Sequence, residues 1–129
     1  MLKMVFTEGA PKPVGPYSQA LTAGGFVWAS GQIGIDPASG ELVKGDVEAE
    51  AEQALRNLSR VLAAAGTGLN RVVKTLLFIT DMNDFGRVNS VYARYFQEPF
   101  PARSTVQVSA LPKGARVEIE AVAVLEQER

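Results

Sequence analysis

RVVKTLLFITD, residues 71–81, decides how this chain is built. β-Branched and aromatic residues dominate the stretch and neither glycine nor proline interrupts it, so it reads as a strand. Side chains alternate between the two faces of a strand. Leu76 and Phe78 therefore point one way, and Val73, Leu77 and Ile79 the other. Both sides are apolar, the mark of a strand covered on two faces. Its sheet needs a cover above and below.

Upstream, Asp46 stands where it can cap a long helix. The apolar positions Val47, Ala51, Ala54, Leu55, Leu58, Val61, Leu62 and Ala65 recur at helical spacing, and Gly66 is placed to end the run. Further upstream, Gly24-Gly25 sits between the apolar runs of SQALTAGGFVWASGQI, which suits a tight hairpin needing positive φ. Downstream, TDMND starts a second helix with Phe85, Val88, Tyr92, Tyr95 and Phe96 as its apolar face, closed by Pro99 and Pro101. Two strands near 104–108 and 115–125 finish the chain around the turn LPKG. The predicted order is β-β-α-β-α-β-β. That is an α/β two-layer sandwich with two helices on one face of a mixed sheet, one domain over residues 1–129. Two helices cover one face only, and the simplest cover for the other is a second copy of the chain. A homo-oligomer is expected.

The composition narrows the chemistry. With 47% apolar and 21% charged residues the chain is an ordinary folded domain. A net charge of −1 without a basic run gives no source for phosphate attraction, so no nucleic-acid partner is expected. MLKMVF is too short for a signal peptide and no stretch approaches a membrane span, which reads as a soluble, cytoplasmic protein. Cysteine and histidine are both absent. That excludes disulfides, thiol nucleophiles, Ser-His-Asp triads and His- or Cys-ligated metals. Acid–base work falls to carboxylates, Tyr, Lys or water.

Charges recur inside the last two predicted strands. Arg103, Thr105 and Gln107 share one side of theirs, and Glu118 and Glu120 share one side of theirs. All of them could look into one cleft, where a guanidinium fork holds a small organic acid and a carboxylate orients water. Equally, Arg103 opposite Glu118 could be a structural ion pair. Tyr17, in the loop PVGPYSQA, is either a rim residue or a ligand wall. Gly31, in ASGQIG, marks either a bulge or a place where a ligand approaches the backbone. Asn89 is a solvated helix position unless it faces the cleft. AAAGTG near residue 66 follows a helix and lacks a Gly-Lys-Ser/Thr ending, so it is no phosphate loop.

GPYSQA (15–20), SGQIG (30–34), VKTLLFITDMNDF (73–85), VNSVYARYF (88–96) and above all PARSTVQVSALPKGARVEIE (101–120) follow, in order, the blocks of one family. Along essentially its whole length the chain resembles the RidA/YjgF family, reactive intermediate deaminases also called endoribonuclease L-PSP proteins. The resemblance implies a chorismate-mutase-like fold and a homotrimer with sites in the clefts between subunits. It further implies that Arg103 holds a substrate carboxylate and Glu118 positions water, with Tyr17, Gly31 and Asn89 lining the site. The implied reaction hydrolyses small imino acids, released by pyridoxal-phosphate dehydratases, to 2-oxo acids and ammonia, and itself needs no cofactor or metal. Many members carry cysteine two residues after the site arginine, where this chain has Thr105. Thiol chemistry does not carry over to that position, although its backbone role does. A module that binds 2-oxo acids without turnover, and an endoribonuclease, are the competing functions.

Overall fold

The computed structural model describes residues 2–125, so residues 1 and 126–129 of the predicted domain lie outside the described residues. In chain order the strands and helices are β1 (Lys3–Val5), β2 (Ala20–Ala23), β3 (Phe26–Gln32), β4 (Ile35–Asp36), β5 (Glu41–Leu42), α1 (Val47–Ala65), β6 (Val72–Ile79), α2 (Phe85–Tyr95), β7 (Ala102–Gln107) and β8 (Val117–Val124). Six of the strands form one sheet in the order β1-β2-β3-β8-β6-β7. β6 runs parallel to β7 and antiparallel to β8, so the sheet is mixed as expected. β1 and the small β4–β5 hairpin, which occupies the DPASGEL turn, add to the predicted order.

Local chemistry explains the element ends. Gly24 and Gly25, at φ 61° and 83°, form the two-residue loop between the paired Ala23 and Phe26. That double positive φ is the hairpin turn matching strand twist. The Asp46 side chain accepts a hydrogen bond from Ala49 N at 3.0 Å, and Gly66 closes α1 in the left-handed region. The second helix starts later than TDMND implies. Asp81 caps a 3-10 turn over Met82–Asp84 before α2 begins, and Phe96 is already extended beyond its end.

Both helices lie on one face of the sheet. Leu55, Leu58, Val61 and Leu62 of α1 are fully buried with Val27, Leu77, Ile79, Val117 and Ile119 from the strands. Each such side chain contributes about 1.5–3 kcal/mol of burial. One expectation fails at Val73, which is exposed where an inward position was predicted. A bulge between Val72 and Lys74 adds a residue to β6, and beyond it the inward role passes to Val72. The other sheet face carries Phe26, Trp28, Leu76, Phe78, Val106 and Val124, with Trp28 51% exposed. Among the described residues, no helix is long and apolar enough to cross a membrane.

Candidate active site

Strand register separates the candidate residues. Arg103 pairs with Thr75 and Thr105 with Leu77, both buried beneath the helices. Arg103, Thr105 and Gln107 thus face the helix side. Glu118 pairs with Phe78 and Glu120 with Leu76, on the side without helices. Within one chain, therefore, the five do not share a cleft. The alternative ion pair fails too, because β6 lies between β7 and β8. The crossover through α2 puts β7 on one edge of β6, leaving the other edge to β8.

On the helix side, α2 prepares Arg103. The guanidinium lies 4.7 Å from the Tyr92 ring centroid and 5.4 Å from that of Phe85, and its Nη1 donates to Asn89 Oδ1 at 2.8 Å. The Tyr92 ring is fixed in turn by its hydroxyl, 2.8 Å from Thr75 Oγ1, and by Phe96 at 4.4 Å. Burial raises the Tyr92 phenol above its ordinary value, while the Thr75 bond and the Arg103 charge pull the other way. Among the described residues no carboxylate lies within ion-pair distance of Arg103. Thr105 stands two residues further along the same side, partly buried.

On the other side, Glu118 lines a cavity of about 900 Å³ together with Tyr17, Ser30 and Gly31. Glu120 is not part of its wall, which separates two carboxylates that strand spacing alone leaves equivalent. β3 is bulged between Ala29 and Gln32, and there Gly31 meets Glu118 so closely that the carboxyl occupies the space a Cβ would need. The bulge anticipated for this glycine is there, and the group that approaches its backbone is the Glu118 carboxyl. Among the described residues Glu118 forms neither an ion pair nor a side-chain hydrogen bond. Burial first, and the neighbouring Glu120 second, raise its carboxyl above the ordinary value.

Several organising residues escaped the sequence reading. Gln19, 1% exposed, accepts from Thr7 N at 2.7 Å and donates to the carbonyls of Thr7 and Pro11, tying down the segment that lines the cavity beside Tyr17. Asn57, fully buried on α1, donates to the carbonyls of Ile33 and Ile35 in the cavity floor. Phe85 and Tyr92 were read only as an apolar helix face. The usable signal was polarity at helical core spacing: Asn57 stands between Ala54 and Leu58 on α1.

The family model described as Endoribonuclease L-PSP matches residues 7–125. The chain belongs to the RidA/YjgF family. Within it, a 2-iminobutanoate/2-iminopropanoate deaminase of Mus musculus is 55% identical over 122 residues, covering 95% of this chain and 90% of that protein. The crystal structure of RidA from an Antarctic Psychrobacter superposes with a TM-score of 0.92 at 46% identity, over 95% of this chain and 99% of that one. E. coli TdcF, in a structure with bound serine, gives a TM-score of 0.90 at 40% identity, over 96% and 99% of the two chains. Deaminase-named relatives at this identity support hydrolase activity in the family branch to which the chain is similar.

Proposed function

We propose that this protein is a cytoplasmic 2-iminobutanoate/2-iminopropanoate deaminase, acting as a homotrimer whose sites lie between subunits. One observation carries it. A part-buried guanidinium and a part-buried carboxylate, Arg103 and Glu118, are each left, among the described residues, without an opposite charge on opposite sides of one sheet. Unpaired charges of this kind are costly in a finished fold. A second copy laid on the uncovered face brings Glu118 of one protomer toward Arg103 of another, and a substrate carboxylate then pairs with the arginine.

In that cleft Arg103 takes the substrate carboxylate through its fork, with Asn89 holding one nitrogen and Tyr92 backing the plane. Tyr17, Gly31 and Thr105 line the bound acid. Glu118 orients a water, whose oxygen adds to the imine carbon C2. One proton of that water passes through Glu118 to the nitrogen, and the hydroxyl proton of the adduct follows by the same route as the carbonyl forms, the C–N bond breaks and ammonia leaves. One water is consumed and one ammonia released, so neither cofactor nor redox partner is required. The upward shift of the carboxyl, caused first by burial, suits a group that must both accept and return a proton.

The test supplies serine or threonine and a pyridoxal-phosphate dehydratase, and traps the imine with semicarbazide. The native chain should lower the trapped yield and speed 2-oxo acid release, and Arg103→Ala should do neither. Binding of 2-oxobutanoate without any turnover would instead make the protein a metabolite-binding module. Retention on heparin at low salt together with RNA cleavage would favour the endoribonuclease activity named in the family description.

A further inference from the structure

Glu50 is a carboxylate buried to 1% exposure on α1, at a position that shares the helix face of Val47, Ala51 and Ala54. Both of its oxygens are engaged by one residue. Arg116 donates its backbone N to Oε1 at 2.8 Å and its Nε to Oε2, while its outer nitrogen reaches Gly45 O at 2.7 Å. Arg116 stands immediately before β8, two residues ahead of Glu118, and its carbonyl accepts from Thr80 N at 3.1 Å. On its other side Glu50 is packed against Gly34, where an added Cβ would meet the Glu50 Cα and carbonyl oxygen at 2.8 Å. Gly34 follows, two residues beyond Gln32, the bulge that brings Gly31 onto Glu118. The two walls that enclose the Glu118 carboxyl, β8 and the 31–34 segment, therefore bear on the same buried residue.

We infer that the Glu50–Arg116 pair is a positioning device for the proposed reaction: it sets the start of β8 against the Gly31–Gly34 segment and so holds the Glu118 carboxyl at the cavity wall. The inference rests on the deaminase function proposed above only in its kinetic consequence, because the placement of Glu118 is measurable without turnover. A charged residue is an expensive way to fill a helix core position. Its two oxygens, however, read both the backbone and the side chain of Arg116, which an apolar residue cannot do.

The experiment compares the full chain with Glu50→Gln, Arg116→Lys and, as a control, Val61→Ala. The control loosens α1 in the core away from Arg116 and the 31–34 segment. Titration of Glu118 is followed by NMR of carboxyl-labelled glutamate, with Glu118→Gln assigning the signal. Glu8, Lys12, Tyr17 and Lys113 around the cavity and Glu120 beside it stay unchanged in every variant. With the pair broken, Glu118 moves off Gly31 toward water. Its midpoint should then fall toward the ordinary carboxylate range in Glu50→Gln and Arg116→Lys and stay put in Val61→Ala. In the imine assay kcat should fall about tenfold with KM within about twofold, since Arg103 is held separately by α2. An unmoved midpoint in both pair variants overturns the inference, as does an equal movement in Val61→Ala. Should Glu50→Gln fail to fold, Arg116→Lys decides alone. A native chain that never hydrolyses imine sinks the deaminase function, while the titration still decides whether Glu50 positions Glu118.

Discussion

Gly31 has no room for a side chain, because the Glu118 carboxyl already fills that space. Gly31→Ala should therefore keep the fold, turn Glu118 away and lower kcat by on the order of a hundredfold, read in the imine assay. Glu118→Gln should cost about 10²–10⁴-fold in kcat. The same substitution has an opposite effect on stability. Burial raises the folded-state value of Glu118 above 4.5, so the folded chain prefers the protonated form. Stability from this group is complete below 4.5 and declines as pH rises through the raised value. Glu118→Gln should accordingly unfold at higher urea than the parent at about pH 7, with the difference vanishing at about pH 4. An equal urea midpoint at neutral pH would mean that the carboxyl is solvated. Arginine and glutamate were both legible as candidates from the sequence because charges inside strands are rare. Asn89 was named as a cleft residue, but its bond to Arg103 and the stacking of Tyr92 were not legible, since both reach Arg103 only through the docking of α2 beside β7.

At the scale of elements, α2 serves as a tray for Arg103 as well as a cover for the sheet. Tyr92→Phe keeps the ring beneath the guanidinium but strands Thr75 Oγ1 in the core. It should cost about 1–3 kcal/mol in chemical denaturation while leaving KM within a few-fold of the parent. A large rise in KM would place the hydroxyl in the arginine site itself. Helices and turns were the most legible elements, because Asp46, Gly66 and the Gly24-Gly25 pair act through local backbone chemistry. Strand β6 was legible as a strand, but its facing at Val73 was not. A bulge changes alternation through pairing with β8, and nothing within residues 71–81 reports that pairing.

At the scale of the whole molecule, the sheet has one helix-covered face and one apolar face carrying Trp28, Phe78 and Val106. Trp28→Glu should lower the mass seen in sedimentation and abolish imine hydrolysis together, because in the proposed assembly the cleft and the contact are one structure. A sharper check mixes Arg103→Ala with Glu118→Ala after subunit exchange. Each is inactive alone, yet sites pairing the intact arginine of one with the intact glutamate of the other should restore about a quarter of parental activity by random assortment. No recovery despite verified exchange would mean that Arg103 and Glu118 do not share one site.

The amino-acid sequence by itself determined the order of the two helices and the five longer strands, the two-layer α/β class, the apolar second face and the identity of the charged residues. Each of these follows from local periodicity, caps and the cost of burying charge. Tertiary structure alone decided that Arg103 and Glu118 lie on opposite sides of the sheet, and it put Glu118 but not Glu120 in the cavity wall, which strand spacing could not distinguish. It also decided that Glu50 ties the start of β8 to α1. The physical reason is that alternation along a strand is relative. Only the order and register of neighbouring strands turn it into an absolute direction, and those are set by pairings between residues far apart in the chain.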